Sequence, residues 1–339
     1  MIRNHLGKAQ VACKKTVCVI ALGSLLAPSI FASVWETPLW AQEAAAHTSS
    51  SQPPTPQWQI DAGGKLTFDV DSVKRNTTEP SRATVNSNIS MGSGDYYSPT
   101  GGLFSATNIP LFAYISFAYK ISGNQDRVLE QQVPKWVLSD RFDIQARVEG
   151  NPSKDQMRLM MQALLADRFK LVIHREIRRL PVYGLVVEKA GRLGPGLQPH
   201  SDETPCSTDP GSLSALRSAP PTTVAACGGI QGMPGSVPGR LALGARKVTM
   251  ELIATSFPAW GDLVVDRPVI DKTGLSGTFD LHMEFTPQFN GPAPPNFTPD
   301  PNGPTFQEAL KQQLGLKLEP QTGLVDVLIL DHVEEPSPN

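Results

Sequence analysis

Two octapeptides, RFDIQARV at residues 141–148 and TFDLHMEF at 278–285, alternate apolar and polar side chains with a period of two. That period turns every second side chain the same way, so each predicts a strand with one buried face: Phe142, Ile144 and Ala146 in the first, Phe279, Leu281, Met283 and Phe285 in the second. Each is entered through Phe-Asp and follows a stretch of helical periodicity, 110–120 and 249–257 respectively, across a connection containing Trp or Pro. TFDVDSV at 67–73 repeats the strand element without its helix. Helices this few cannot cover both faces of a sheet, and one-sided strands do not need them to. The predicted fold is therefore α+β, with mainly antiparallel sheets, a few helices packed on one face, and repeated helix–strand modules. Glycine (28) and proline (31) are abundant among the 339 residues and imply long loops, while a 40% hydrophobic content is enough to fill a core.

Leu111, Tyr114, Ile115 and Ala118 fall at helical spacing behind Asn108 and Pro110, which are expected to start that helix. Ser153 and Gln156 form a capping box ahead of a stripe of Met157, Met160, Met161, Leu164 and Leu165. Methionines at this spacing are read as core rather than as an adaptable binding groove. Two strands follow, at 170–177 and 182–188, with Pro181 marking a turn or an edge position between them. Thr249 caps the next helix, which Pro258 should end. DKTG at 271–274 has the composition of a turn, with Gly274 suited to positive φ. Thr305 with Glu308 caps a last helix closed by Gly315, and the tail reads as a hairpin: 316–319, a turn at 320–323, and a strand at 325–333.

Arg3, Lys8, Lys14 and Lys15 stand around the start of an apolar run at 17–32, with no acidic residue before Glu36. This is the layout of a secretory signal peptide over residues 1–32, cleaved after Ala32 or as late as about residue 46. The run is broken by Pro28 and is short for a membrane span of about 20 residues; a retained anchor is the alternative. Residues 43–57 are expected to form a disordered, mobile linker, 65–189 a first α+β module, 190–245 an irregular loop region holding the disulfide and 246–339 a second α+β module. No transmembrane segment is expected once the signal is removed, so the protein is expected in the periplasm or outside the cell. Loss of the four basic residues of 1–32 leaves 26 Lys+Arg against 32 Asp+Glu, a net −6 that argues against nucleic acid as a partner. Cys206 and Cys227 remain. An even pair in an oxidising compartment is read as a disulfide, worth about 3 kcal/mol for a loop of about 20 residues. The competing reading, a two-cysteine metal site, lacks the clustered His or Cys partners it would need.

Gly-x-Ser-x-Gly, a phosphate-cradling glycine loop and Cys-x-x-Cys are all missing. His174 with Glu176 and His282 with Glu284 are each His-x-Glu, a step of two that puts both side chains on one face of a strand. Were those strands neighbours, two imidazoles and two carboxylates would converge on Zn²⁺ or a similar ion. The other reading is the solvated polar face that every alternating strand carries. Asp143 and Asp280, from the two Phe-Asp steps, offer a carboxylate pair for acid–base work or, more simply, acceptors for backbone amides. No catalytic residue and no cofactor is assigned from these patterns.

FDVDSVK, ATNIPLFAYISFAYKI, RFDIQARVEGNPSKDQMRLMMQALLADRFKLVIHREIRRLPVYGLVVEKAG, RPVIDKTGLSGTFDL and LGLKLEPQTGLVDVLILDHVEEPSPN occur in this order over roughly 65–339. Together they resemble the soil-associated secreted protein family expanded in acidobacteria, a domain of unknown function. The resemblance implies an extracytoplasmic sensing or binding role, since some relatives carry the domain outside the membrane on a metallopeptidase similar to the beta-lactam-sensor type. His-Glu-x-x-His is missing here. The expected function is a secreted or periplasmic, non-enzymatic module that binds an envelope protein, a polymer or a small molecule. The rival is an envelope hydrolase using acidic residues or a His/Glu metal site.

Overall fold

Both alternating octapeptides form strands inside four-stranded antiparallel sheets. The first sheet has the order β1 (Val70–Asn76), β4 (Arg141–Arg147), β3 (Leu103–Pro110), β2 (Asn86–Ser87). The second runs β6 (Leu197–Pro199), β10 (Phe279–Phe285), β8 (Leu241–Val248), β7 (Gly229–Pro234). In a third sheet, β5 (Val172–Val187) lies between β11 (Leu316–His332), antiparallel to it, and the short parallel β9 (Val269–Asp271). The helices are α1 (Gln57–Asp61), α2 (Leu111–Ala118), α3 (Gly123–Glu130), α4 (Lys135–Ser139), α5 (Lys154–Arg168), α6 (Met250–Trp260) and α7 (Phe306–Ala309), the last running into a π-helical turn, Leu310–Leu314. These elements come from a computed structural model that describes residues 53–78, 85–203, 206–207, 225–260, 265–289, 293 and 297–336. The expected signal and most of the expected linker lie outside the described residues, as do 208–224. The α+β reading is correct.

The repeat suggested by the Phe-Asp steps extends far beyond them. Apart from β9, which has no counterpart in the first half, chain order and sheet order correspond strand for strand: β1, β2, β3, α2, β4, α5, β5 in the first half, and β6, β7, β8, α6, β10, α7, β11 in the second. Even the registers coincide. Ile109 pairs with Phe142 and Ala106 with Ile144, just as Val248 pairs with Phe279 and Ala245 with Leu281, and both ladders slip between those pairs. At each slip a non-glycine residue takes positive φ, Asn108 at 60° and Lys247 at 52°, three residues before a helix begins. The Phe-Asp carboxylate holds that kink. Asp143 Oδ1 accepts the Asn108 N–H at 2.8 Å, and Asp280 Oδ1 accepts the Lys247 N–H at 3.0 Å. A second donor arrives from the flanking strand in both copies, Asn76 Nδ2 at 2.8 Å on Asp143 and His200 Nδ1 at 2.7 Å on Asp280. Both aspartates are thus tied to backbone and lie in different sheets. They do not form a carboxylate pair.

The second half of each copy matches too. Capping boxes Ser153–Gln156 and Thr305–Glu308 open α5 and α7, as the spacing predicts. Each helical segment closes on a left-handed residue, Lys170 at φ 51° and Gly315 at 69°, followed by a buried leucine, Leu171 or Leu316. The methionine stripe of α5 is core, as expected, buried with Phe104, Tyr114, Phe142 and Phe169. A second core gathers Phe257, Phe285 and Phe306, the last edge-on to both others at 5.4 and 5.2 Å. Each such ring contributes about 1.5–3 kcal/mol by leaving water.

The ribbon of β5 and β11 departs from expectation. Residues 170–188 were expected to form two strands about Pro181, and 316–333 a hairpin about Pro320; instead each proline sits inside one long strand. The N–H of Tyr183 donates to the Pro268 carbonyl on the β9 side at 2.8 Å, so odd residues of β5 point away from β11. Pro181 shares that direction, below the start of β9, where no donor is needed. Pro320 pairs with Tyr183 and Thr322 with Pro181, so both pairs are of the non-hydrogen-bonded kind and Pro320 turns its nitrogen to the free edge. Neither proline interrupts the ladder.

Three smaller corrections follow the same logic. The helix behind Asn108 is capped by Pro110, with Asn108 in the bulge. Pro258 does not end α6, which runs two residues past it to Trp260. Residues 190–245, expected to be irregular, contain β6, β7 and most of β8. Cys206 and Cys227 are joined, with Cα atoms 5.7 Å apart.

Candidate functional site

The ribbon joins the two cores. Ile173, Leu328 and Leu330 pack on the first, while Leu185, Leu316 and Leu318 pack on the second. Its middle forms a small cluster of its own on one face, Val182, Val325 and Val327 against Val128 of α3, and on the other face leaves Ile177 at 47% and Leu324 at 59% exposed. Both line a cleft of about 1000 Å³. Alternation explains the clustering: odd residues of β5 and even residues of β11 share a face, so Arg175, Ile177, Leu324 and Asp326 stand together. Lys120 and Gln125 come from the first repeat, Lys247 and Glu251 from the second, and Trp58 from α1.

Every cation on this wall already meets an acid. Lys120 Nζ lies 2.6 Å from Asp95 Oδ1 and 5.8 Å from the centre of the Trp58 ring. Burial alone would raise the Asp95 carboxyl, but Lys120, with Arg158 behind it, holds it below its usual range. Arg175 pairs with Asp326, and Lys247 Nζ lies 3.1 Å from Asp202. His174 Nδ1 meets Asp331 at 2.7 Å and Nε2 meets Glu176 at 3.1 Å. Those two hydrogen bonds raise the imidazole pKa and favour its charged form.

One cleft wall is built by loop 92–96, which wraps two cations of α5. Lys154 Nζ donates to the carbonyls of Gly92, Gly94 and Tyr96 at 2.6–3.3 Å. Arg158, fully buried, donates through Nη2 to Gly92, Ser93 and Gly94 at 2.9–3.2 Å. Burial and the Arg158 charge push the Lys154 amine down to about 7. From there the loop reaches the other repeat: Asp95 N–H donates to the Gly228 carbonyl at 2.6 Å, beside the disulfide. The Tyr96 ring lies where any β-carbon on Gly229 would be. The loop therefore fastens the repeats together beneath the cleft.

The four residues weighed for a metal site are not brought together. His174 and Glu176 lie on β5 in the third sheet, His282 and Glu284 on β10 in the second. Glu284 is engaged by Ser236, whose N–H donates at 3.0 Å and hydroxyl at 2.7 Å. Among the described residues, no group of three or more His, Cys, Asp or Glu is arranged to hold a metal ion. Trp58, Lys120, Arg158 and the Arg175–Asp326 pair were not singled out by sequence. The available signal was faint: a glycine-rich run, MGSGDY at 91–96, whose carbonyls are free to gather cations.

No helix among the described residues is long and apolar enough to cross a membrane. No curated protein matches the chain, and neither does any solved structure. A family described as a protein of unknown function, DUF3738, matches residues 113–333, from inside α2 to the end of the ribbon, and leaves β1–β3 of the first repeat outside. With that match covering more than half of its length, the chain belongs to the DUF3738 family of proteins of unknown function.

Proposed function

We propose that this is an exported, non-catalytic binding protein whose ligand or envelope partner occupies the inter-repeat cleft. One observation carries the reading: Lys120, Arg175, Lys247 and His174 are each held by a carboxylate. Such a wall is preset to accept hydrogen bonds and apolar contact. His174, the one imidazole among the described residues that line it, is engaged on both ring nitrogens by Asp331 and Glu176 and is not free to take a proton from a nucleophile. A concave junction between two repeats, with an aromatic ring and exposed aliphatic side chains, is also a common place for ligands. Export is supported by the basic and apolar N-terminal pattern and by a disulfide, which persists in oxidising compartments. The soil-associated, acidobacterial affiliation rests on the five motifs alone.

The test is mass spectrometry of protein taken from its native envelope fraction, under native and denaturing conditions. The expected result is a chain shortened by its signal, two hydrogens lighter than its reduced form, with a mass excess that denaturation removes. Full-length chain confined to the cytosol would refute export. A bare native mass, together with Trp58 fluorescence indifferent to envelope extract, would refute the binding reading.

A further inference from the structure

We propose that the occupant of the cleft is an extended polypeptide segment bearing acidic side chains, which adds to the open edge of β5 as a further strand. This deepens the binding reading and rests on it. On the β9 side, the Tyr183 N–H donates to the Pro268 carbonyl at 2.8 Å and the Leu185 carbonyl accepts from Lys272 N–H at 2.9 Å. β9 pairs only with Tyr183–Leu185. Below it, the peptide groups of Ile173, Arg175, Ile177 and Arg179 point the same way, and among the described residues they make no backbone hydrogen bond. The chain at 53–56 passes close, since Arg175 Nη1 donates to the Pro54 carbonyl at 3.1 Å. With Pro53, Pro54 and Pro56 it has one N–H to offer and cannot complete the ladder.

An edge from Ile173 to Arg179 is about 20 Å long, room for six or seven residues of a partner strand. Ile173, Arg175 and Ile177 line the cleft, so a strand laid along the β5 edge borders it and turns every second side chain into it. Ile177 and Leu324 offer apolar contact at its middle. Charge selects the occupant. Arg178 and Arg179 are both exposed; Arg178 shares Glu176 at 2.8 Å, and Arg179 makes no ion pair among the described residues. An open edge invites pairing, and arginines along it repel a second copy of the same edge while attracting carboxylates.

The experiment pans the full chain against a library of random linear twelve-residue peptides, with Ile177→Pro, Ile177→Ala and Arg179→Glu in parallel. Proline is tolerated on an open edge but removes one of its N–H donors, whereas alanine keeps it. The expected outcome is enrichment of peptides alternating apolar and acidic residues. Their affinity should fall at least tenfold in Ile177→Pro and Arg179→Glu, and much less in Ile177→Ala. Bound peptide should also slow amide exchange at Arg175, Ile177 and Arg179 of the unaltered chain, a readout that stands even if Ile177→Pro misfolds. Unchanged exchange, or equal binding to Ile177→Pro and the unaltered chain, overturns the inference. If no peptide is selected but a neutral oligosaccharide from envelope extract quenches Trp58, the inference falls and the binding cleft stands. If neither binds, both fall.

Discussion

Asp143 accepts the backbone N–H of Asn108 across the first sheet at 2.8 Å, holding a residue whose φ is 60°. The second sheet repeats this with Asp280 and Lys247. A hydrogen bond from a backbone N–H to a charged acceptor is worth about 1.5–3 kcal/mol. Asp143→Ala and Asp280→Ala are each expected to destabilise by about 2 kcal/mol in urea titrations, and Asp→Asn, which keeps an acceptor, by about half of that. Lying in different sheets, the two losses should add to within about 0.5 kcal/mol.

The matched helix ends make opposite predictions for one change of residue type. Lys170 holds φ 51° where its counterpart Gly315 holds 69°. A left-handed conformation costs a residue with a β-carbon about 1 kcal/mol, so Lys170→Gly should be neutral or stabilising by up to about 1 kcal/mol. Gly315→Ala adds a β-carbon 2.7 Å from Gly194 N and should cost at least about 2 kcal/mol. Thermal denaturation of both variants checks the contrast.

Gly229→Ala drives a methyl group into the Tyr96 ring, at the point where loop 92–96 crosses to the other repeat. The expected cost is about 3 kcal/mol with faster amide exchange across β7. Gly274→Ala is the control, with φ 70° but open space around it, and should cost about 1 kcal/mol.

Reduction should act nearby. Opening Cys206–Cys227 releases a loop of sequence separation 21 and is expected to lower stability by about 3 kcal/mol. Calorimetry with and without reductant, compared with Cys206→Ser/Cys227→Ser, should give matching melting temperatures for the reduced and doubly substituted chains. Two reactive thiols in the untreated native protein would contradict the pairing.

Burial pushes the Asp126 carboxyl up to about 6 from an ordinary 3.8, although Ser116 Oγ donates to it at 2.7 Å. Between about pH 4 and 6 the native state therefore holds a proton that the unfolded chain has released. The contribution of this group to stability falls as pH rises through that window and is lost above it. Asp126→Asn removes the slope, so the variant should gain on the unaltered chain by about 2 kcal/mol between pH 4 and pH 7. Denaturant midpoints at the two pH values test this.

Local chemistry made much of the fold legible. The capping boxes at Ser153 and Thr305, the alternation of the Phe-Asp strands and the turn at Gly274 are each written within a few residues of one another. The ribbon was hidden because proline normally breaks a strand. Whether Pro181 and Pro320 do so depends on which edge their nitrogens face, and a partner well over a hundred residues away decides that. The cleft was harder still. Trp58, Lys120, Arg175 and Asp326 share no periodicity, and only the ribbon's span across both cores assembles them. His174–Glu176 and His282–Glu284 showed the reverse, since identical local spacing said nothing about which sheet each pair would join.

Leu328 of the last strand belongs to the core that β1–β4 begin, and Leu330, with Val333 just past the strand, packs against it. The first repeat is thus sealed by β11, and its hydrophobic interior stays open to solvent until that strand has been synthesised. Contacts of such sequence separation carry a large loop-closure cost and form late. A chain still on the ribosome has no finished half to rest in. Removing β11 takes a wall from both cores, so this one strand decides when either half becomes a folded protein.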